Sequence, residues 1–223
     1  MKNVLITGGT KGLGKKLVQK YLDEGYNVFA TYHNKEYEKI DNVTYLELDL
    51  DNNNSIDNLI NNISNIDILI NNAGISIDDD ILNKTYDNIR KVISTNLIGP
   101  LYLSSKIINK MNNGVIIFVS SDCAFNNNYP EGIDYDASKI GLTKVVEDLA
   151  IYLAPNIRVI GVAPGWIDTP MNSNLDETYK QEQIDKILLN RFAKAEEIAN
   201  TIYNISQDTY INGTTIVVNG GTK

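Results

Sequence analysis

The stretch Thr7-Gly8-Gly9-Thr10-Lys11-Gly12-Leu13-Gly14 stands directly behind the first apolar run, Val4-Leu5-Ile6. That run is short, rich in branched residues and bounded by glycine, so it reads as a buried strand. Leu13, Leu17, Val18, Tyr21 and Leu22 then recur at helical spacing, and Gly25 closes the pattern as a C′ residue. A strand, a Gly-rich turn and a helix with free N–H groups in its first turn make an anion site suited to a pyrophosphate. Glycine is needed there because a Cβ would hold the backbone off the phosphates and would penalise positive φ. The spacing is G-x-x-x-G-x-G (Gly8, Gly12, Gly14), not G-x-G-x-x-G, and no Gly-Lys-Ser/Thr follows as in a triphosphate loop. A tight connection is the bland alternative, and the flanking strand and helix weigh against it.

Further apolar runs read as strands at Tyr26–Tyr32, Val43–Leu48, Ile66–Ile70, Val115–Val119, Ile157–Val162 and Thr215–Val218. Helical patterns lie between them: around Ile56–Ile63, from Tyr86 to Met111, from Tyr135 to Leu153, at Leu175–Leu189 and at Ala195–Ile205. Residues 33–42 are too few for a full crossover helix, so at most a stub is expected there. The alternation predicts a single α/β domain over 1–223. Its expected form is a Rossmann-type, doubly wound parallel sheet of about seven strands in a three-layer αβα arrangement. Ligands in such sheets sit beyond the carboxyl ends of the strands, which groups the polar residues found there.

The net charge of −8 and the absence of basic clusters argue against nucleic acid as a partner. No run approaches the length of a membrane span, and the first apolar run is too short for a signal peptide. The one cysteine, Cys123, has no internal disulfide partner, which fits a cytoplasmic setting. With one histidine and one cysteine, no N/S metal site is expected.

Tyr135-Asp136-Ala137-Ser138-Lys139 sets a tyrosine and a lysine four apart on one helix face, and Ser121 lies fourteen residues before Tyr135 at a strand end. Asn96 sits inside the long helical stretch, just ahead of Gly99-Pro100, where it would interrupt helical bonding and leave a polar group in the core. An isolated Y-x-x-x-K is usually only surface packing. Here it accompanies TGGTKGLG at 7–14, NNAG at 71–74, PGWIDT at 164–169 and VNGG at 218–221. In that order, over essentially the whole chain, these motifs resemble the classical short-chain dehydrogenase/reductase family. The functional look-alikes are its 3-oxoacyl-[acyl-carrier-protein] reductases.

The resemblance implies a catalytic set of Asn96, Ser121, Tyr135 and Lys139, with Tyr135 as acid/base in hydride transfer between a nicotinamide and a carbonyl or alcohol. A free tyrosine titrates near 10, and a nearby lysine cation is expected to lower that value. The family's usual spacing from Ser to Tyr is thirteen, and that position here is Asp122. A loop lengthened by one residue within Asn126–Gly132 would keep Ser121 in place; Ser120 is the alternative. The resemblance also implies cofactor contacts from Gly8, Thr10, Lys11, Gly12, Leu13 and Gly14. Further contacts are implied from Tyr32 and His33, from Asp49 and Leu50, and from Asn72, Ala73 and Gly74. Around the nicotinamide they come from Tyr135, Lys139, Pro164, Gly165, Ile167 and Thr169.

The second strand ends in Tyr32-His33-Asn34-Lys35, without the acid that would accept from a ribose 2′-hydroxyl, and Lys11 stands where a 2′-phosphate would lie. Both features favour NADP(H) over NAD(H). The substrate is expected to be a small carbonyl or alcohol, and a sugar or polyol is the rival to an acyl thioester. A non-catalytic nicotinamide-binding regulator is the rival from another class. The resemblance implies that residues 171–190 correspond to the family's substrate lid, here without the basic cluster that would hold an acyl-carrier protein. The long helices, through Ile89, Val92, Ile93, Leu142, Val145, Val146 and Leu149, are expected to form a homodimer or homotetramer seam unless the sheet uses them. Trp166 is expected to wall the nicotinamide pocket. The short connection after Tyr32 is expected to leave the adenosine edge open.

Overall fold

The computed structural model describes all residues except Asn34, Asn126, Asn128, Asn174 and Lys223. The expectations that touch Asn34, the lengthened loop at Asn126 and Asn128, and the lid at Asn174 lie in part outside the described residues.

Seven parallel strands form the sheet: β1 (Asn3–Ile6), β2 (Asn27–Tyr32), β3 (Val43–Glu47), β4 (Ile68–Asn71), β5 (Gly114–Val119), β6 (Ile157–Pro164) and β9 (Thr214–Val218). Their order is β3-β2-β1-β4-β5-β6-β9. Alternate residues of one strand serve opposite faces, because the side-chain period of a strand is two. Val4 and Ile6 join one core while Leu5 joins the other; in β5, Val115, Ile117 and Val119 oppose Ile116 and Phe118. This explains why the strands read as continuous apolar runs instead of alternating ones.

Helices α1 (Gly12–Asp23) and α7 (Ala195–Gln207) cover the first face with Leu17, Val18, Ile198 and Ile202, and Tyr21 Oη donates to Ser206 Oγ at 2.8 Å between them. Helices α2 (Asn53–Asn61), α4 (Gly99–Ile107) and α5 (Ile133–Leu153) cover the second with Ile56, Leu103, Ile107, Leu142 and Val146. The result is a three-layer αβα fold. Full burial of each such side chain contributes roughly 1.5–3 kcal/mol.

The long helical stretch is not continuous: α3 (Tyr86–Ile93) runs through a π turn at Ser94–Ile98 into α4. Asn96 sits in that turn, as the interruption expected of it requires. No helix occupies the connection from β2 to β3 among the described residues.

The helix expected at Leu175–Leu189 is shorter, α6 (Glu177–Asp185), capped by Asp176. Its last residues are taken by the chain's end: Leu189 N donates to Gly220 O at 3.2 Å, and Ile187 pairs with Thr222. A two-strand parallel pair, β7 (Ile167–Asp168) and β8 (Ala193–Lys194), frames this segment. Two residues carry no periodicity, so nothing in the sequence announces that pair.

Candidate active site

The strand order reverses between β1 and β4, and the crevice of such a sheet lies outside the carboxyl ends at that point. The turn after β1 fills its floor. Gly8 and Gly12 have φ of 66° and 51°, and a Cβ on Gly14 would lie 2.0 Å from the Gly8 carbonyl oxygen. The helix start is therefore pressed onto its own turn. Lys11 caps α1 without a side-chain bond, and the first turn holds no acid. The free N–H groups and the positive end of the helix dipole are thus left to an anion. Thr10 is half-buried at this rim, and Leu13 anchors the helix in the core at 8% exposure.

Thr7, which the sequence reading passed over, ties this turn to β4. Its Oγ1 accepts from Asn72 N and Ala73 N, both at 3.0 Å. The Asn72 side chain donates back to Thr7 O at 2.9 Å, so it braces the glycine turn. A Thr beside a glycine turn would have been the signal.

At the adenosine edge, aromatic side chains line the short connection. Tyr37 stacks between Tyr32 and Tyr45, with ring centres 4.9 and 5.0 Å apart, so three tyrosines fill the place of the missing helix. Lys11 and His33 are exposed beside this edge, and Lys15 pairs with Glu38 at 2.5 Å. Asp49 is half-buried, with Oδ1 accepting from Asp51 N at 2.9 Å; Leu50 is buried beneath it.

The four residues singled out for chemistry come together around Gly74. A Cβ on Gly74 would lie 3.2 Å from Asn96 Oδ1 and 3.4 Å from Lys139 Nζ. Asn96, 1% exposed, accepts from Ile75 N at 2.9 Å and donates to Ile75 O at 2.8 Å and to Ser138 Oγ at 3.2 Å. Lys139 is equally enclosed; its Nζ donates to Val119 O at 2.9 Å and lies 5.4 Å from the centre of the Tyr135 ring. Ser121 lies beside the Tyr135 phenol and favours its ionised form. Ser120 is buried and donates to Lys139 O at 2.8 Å, a bond that fixes α5 to the end of β5.

Electrostatics correct one expectation. The Tyr135 phenol is pushed up, not down: burial dominates, the Cys123 thiol adds to it, and Asp136 and Asp122 contribute further, against the opposing effect of Ser121. Burial also lowers Lys139 to about 8. The lysine's hydrogen bond goes to the Val119 carbonyl and not to the phenol. Cys123 is pushed up to about 12, chiefly by burial, and its thiol is inert.

Across the crevice, Pro164 ends β6, and Gly165 N donates to Val218 O at 3.1 Å. Ile167 O accepts from Asn172 Nδ2 at 2.8 Å. Thr169 reaches back over the glycine turn; a Cβ on Gly12 would be 3.5 Å from it. Trp166 stacks on Phe192 at 5.4 Å, with Tyr129 and Tyr179 edge-on. A cavity of about 190 Å³ lies beside Trp166, lined by Arg191, Glu197 and Ile198 among others. Among the apolar positions named for a seam, Val92, Leu142 and Val146 belong to the chain's own core and Ile89 is exposed; Ile98, Leu101 and Ile140, not among those named, are exposed as well. No cluster of potential metal ligands occurs among the described residues, and none of their helices is long and apolar enough to cross a membrane.

Comparison with known proteins accords with this geometry. The family model described as short chain dehydrogenase matches residues 2–180. A 3-oxoacyl-[acyl-carrier-protein] reductase of Aquifex aeolicus is 34% identical, with 97% of this chain and 95% of that protein covered. Its counterpart in Thermotoga maritima is 33% identical, covering 99% and 97%. A solved short chain dehydrogenase family protein of Francisella tularensis superposes with a TM-score of 0.91 at 28% identity, over 99% of this chain and 98% of that one. The chain belongs to the short-chain dehydrogenase family and is an NAD(P)-dependent oxidoreductase. The bare N-terminus of α1, the glycine turn and the cleft bounded by Gly74 and Gly165 suit a nicotinamide dinucleotide.

Proposed function

We propose that the protein reduces a carbonyl to an alcohol with NADPH, Tyr135 supplying the proton. The bound cofactor would supply a hydride. The observation that carries the reading is the placing of the Tyr135 phenol beside Ser121, with Lys139 Nζ 5.4 Å from the centre of its ring. A neutral phenol is the form needed to protonate an oxygen as charge develops on it. Ser121 would hold the same oxygen, and Lys139 would replace the proton and bind the ribose hydroxyls. Asn96, bonded to Ile75 on both sides of its amide, would steady the approach to Lys139. Gly8, Thr10, Gly12, Leu13 and Gly14 would hold the pyrophosphate. Tyr32, His33 and Lys11 would face the adenosine ribose and its 2′-phosphate, with Asp49 and Leu50 beside the adenine.

A second reading, a small polar ketone, sugar or polyol, has its own support. Asp78 lies beside Tyr129, and Glu131 and Glu182 lie near Tyr179, so carboxylates gather on the substrate side of the cleft. Such a rim suits a neutral substrate better than an acidic carrier protein. Residues 171–190 would close over it, and exposed Ile98, Leu101 and Ile140 would form the seam of a homodimer or homotetramer.

The test is consumption of NADPH against NADH with acetoacetyl thioesters, diketones and sugar ketones. Oxidation of NADPH is expected, and the best substrate chooses between the two readings. Tight NADPH binding without turnover of any of them would point instead to a non-catalytic regulator.

A further inference from the structure

We infer that Asp122 weights this protein toward binding the oxidised form of its cofactor, and so toward donating hydride. The inference rests on the reading of the Pro164–Thr169 loop as the nicotinamide border.

Asp122 follows Ser121 and opens a short 3-10 turn, Asp122–Ala124. Its carboxylate is 5% exposed and reaches under the bend that ends β6. Asn219 Nδ2 donates to its Oδ2 at 3.3 Å, and a Cβ on Gly165 would lie 3.2 Å from the same oxygen. Its other polar neighbours are the Asn127 side chain and the N–H groups of its own turn. All these partners are neutral. Among the described residues, no salt bridge reaches Asp122.

A buried carboxylate without a cation is costly, and burial accordingly pushes this one above its ordinary range. The turn and the Asn219 contact do not need the charge, since an asparagine side chain offers the same carbonyl acceptor. What the charge can do is act on a neighbour. A nicotinamide that has given up a hydride, with its electron pair, carries one more positive charge on its ring than the reduced form. A carboxylate beneath the loop bordering that ring attracts the oxidised form and leaves the reduced form nearly untouched. Asp136, Cys123 and the Lys84-paired Asp134 also lie beside Tyr135, and Cys123 stays a neutral thiol.

The experiment is titration of NADP+ and NADPH, separately, into the wild-type protein and Asp122→Asn at neutral pH, followed by calorimetry. The expected result is a ratio Kd(NADP+)/Kd(NADPH) about fivefold higher in the variant, from weaker binding of the oxidised form. Asp122→Ser, which also keeps a turn acceptor, is expected to shift the ratio in the same direction and serves if the first variant does not fold. An unchanged ratio, whether both constants weaken together or neither moves, overturns the inference and leaves Asp122 a turn-forming residue. If the wild-type protein binds neither form, the cofactor reading itself falls and this inference with it.

Discussion

Lys139 Nζ donates to the carbonyl of Val119 at 2.9 Å, joining the helix that carries Tyr135 to the end of the strand that carries Ser121. The bond settles a cation in a nearly dry position, and burial lowers it to about 8 from 10.5. The sign of the linked stability follows. In the unfolded chain the lysine keeps its proton up to about 10.5, so between about 8 and 10.5 the unfolded state binds more protons than the folded one. The cost of burying the charge is complete below about 8 and is relieved as pH rises through that window. Lys139→Met has no such term. Thermal melts from pH 7 to 10 are therefore expected to show the wild type gaining stability relative to Lys139→Met above about pH 8. A constant difference in Tm across that range would mean that the ammonium is solvated.

Ser120 and Ser121 are adjacent, yet the structure gives them different work. Ser121 faces the Tyr135 phenol, whereas Ser120 is buried and spends its hydroxyl on Lys139 O. Ser121→Ala is expected to lower kcat by roughly 10²–10³ with little change in Tm, the loss typical of one oxyanion donor. Ser120→Ala is expected to lower Tm, through a lost buried bond worth about 1 kcal/mol, while most of the turnover survives. Tyr135→Phe should lose roughly 10²–10⁴ of turnover and retain cofactor binding. The opposite pattern in the two serines would move the catalytic role to Ser120.

Much of this arrangement is legible in the sequence because its signals are local. The strands are short apolar runs followed by polar or glycine-bearing segments, and the helices repeat at 3.6, so both layers and the crevice follow from pattern. Asn96 ahead of Gly99-Pro100 even announces the π turn. What is not legible depends on contacts between distant segments. The halt of α6 at Asp185 is imposed by the chain's end, through Leu189 and Gly220. The Tyr32–Tyr37–Tyr45 stack replaces a helix with side chains whose spacing has no period. The direction of the Tyr135 shift needs the burial of the phenol and the placing of Lys139, neither of which is written in Y-x-x-x-K.

The proposed preference for NADPH is expected to rest on Lys11. It is exposed at the start of α1, its amine open to a 2′-phosphate, whereas Lys15 is paired with Glu38. Lys11→Glu is expected to raise KM for NADPH about tenfold or more and to leave KM for NADH nearly unchanged, because only the 2′-phosphate carries the charge it would repel. Steady-state kinetics with the two cofactors decide this. Equal loss for both would show that Lys11 serves the turn and not the phosphate.

The glycines of the first turn are expected to separate folding from binding. A Cβ on Gly14 would lie 2.0 Å from the Gly8 carbonyl oxygen, which is backbone and cannot step aside. Gly14→Ala should therefore melt well below the wild type or fail to accumulate. Gly12 has φ 51°, but a Cβ there finds nothing nearer than Thr169 at 3.5 Å. Gly12→Ala is expected to cost about 1 kcal/mol of stability and to weaken cofactor binding by a larger factor, since the methyl would point into the space between the turn and Thr169. Melting curves with and without NADPH would read both effects.

The pair Lys84–Asp134 fixes the loop after β4 to the start of α5, one residue before Tyr135. Their side chains are 1% and 2% exposed, 2.7 Å apart, and Lys84 also donates to Ile77 O at 2.7 Å. Asp134 Oδ1 accepts in addition from Tyr135 N at 3.1 Å, so the ion pair touches the catalytic helix directly. Removing one partner leaves a buried charge alone, and Lys84→Met is expected to lose about 3–5 kcal/mol of stability. Replacing both, as Lys84→Met with Asp134→Leu, removes the stranded charge and should recover most of that loss. Denaturant unfolding of the two single variants and the double gives the coupling energy. If the double variant is as stable as the wild type but turns over more slowly, the pair serves to aim Tyr135. If stability and turnover fall together in all three variants, with no recovery in the double, the two residues act as independent packing groups and the ionic link is incidental.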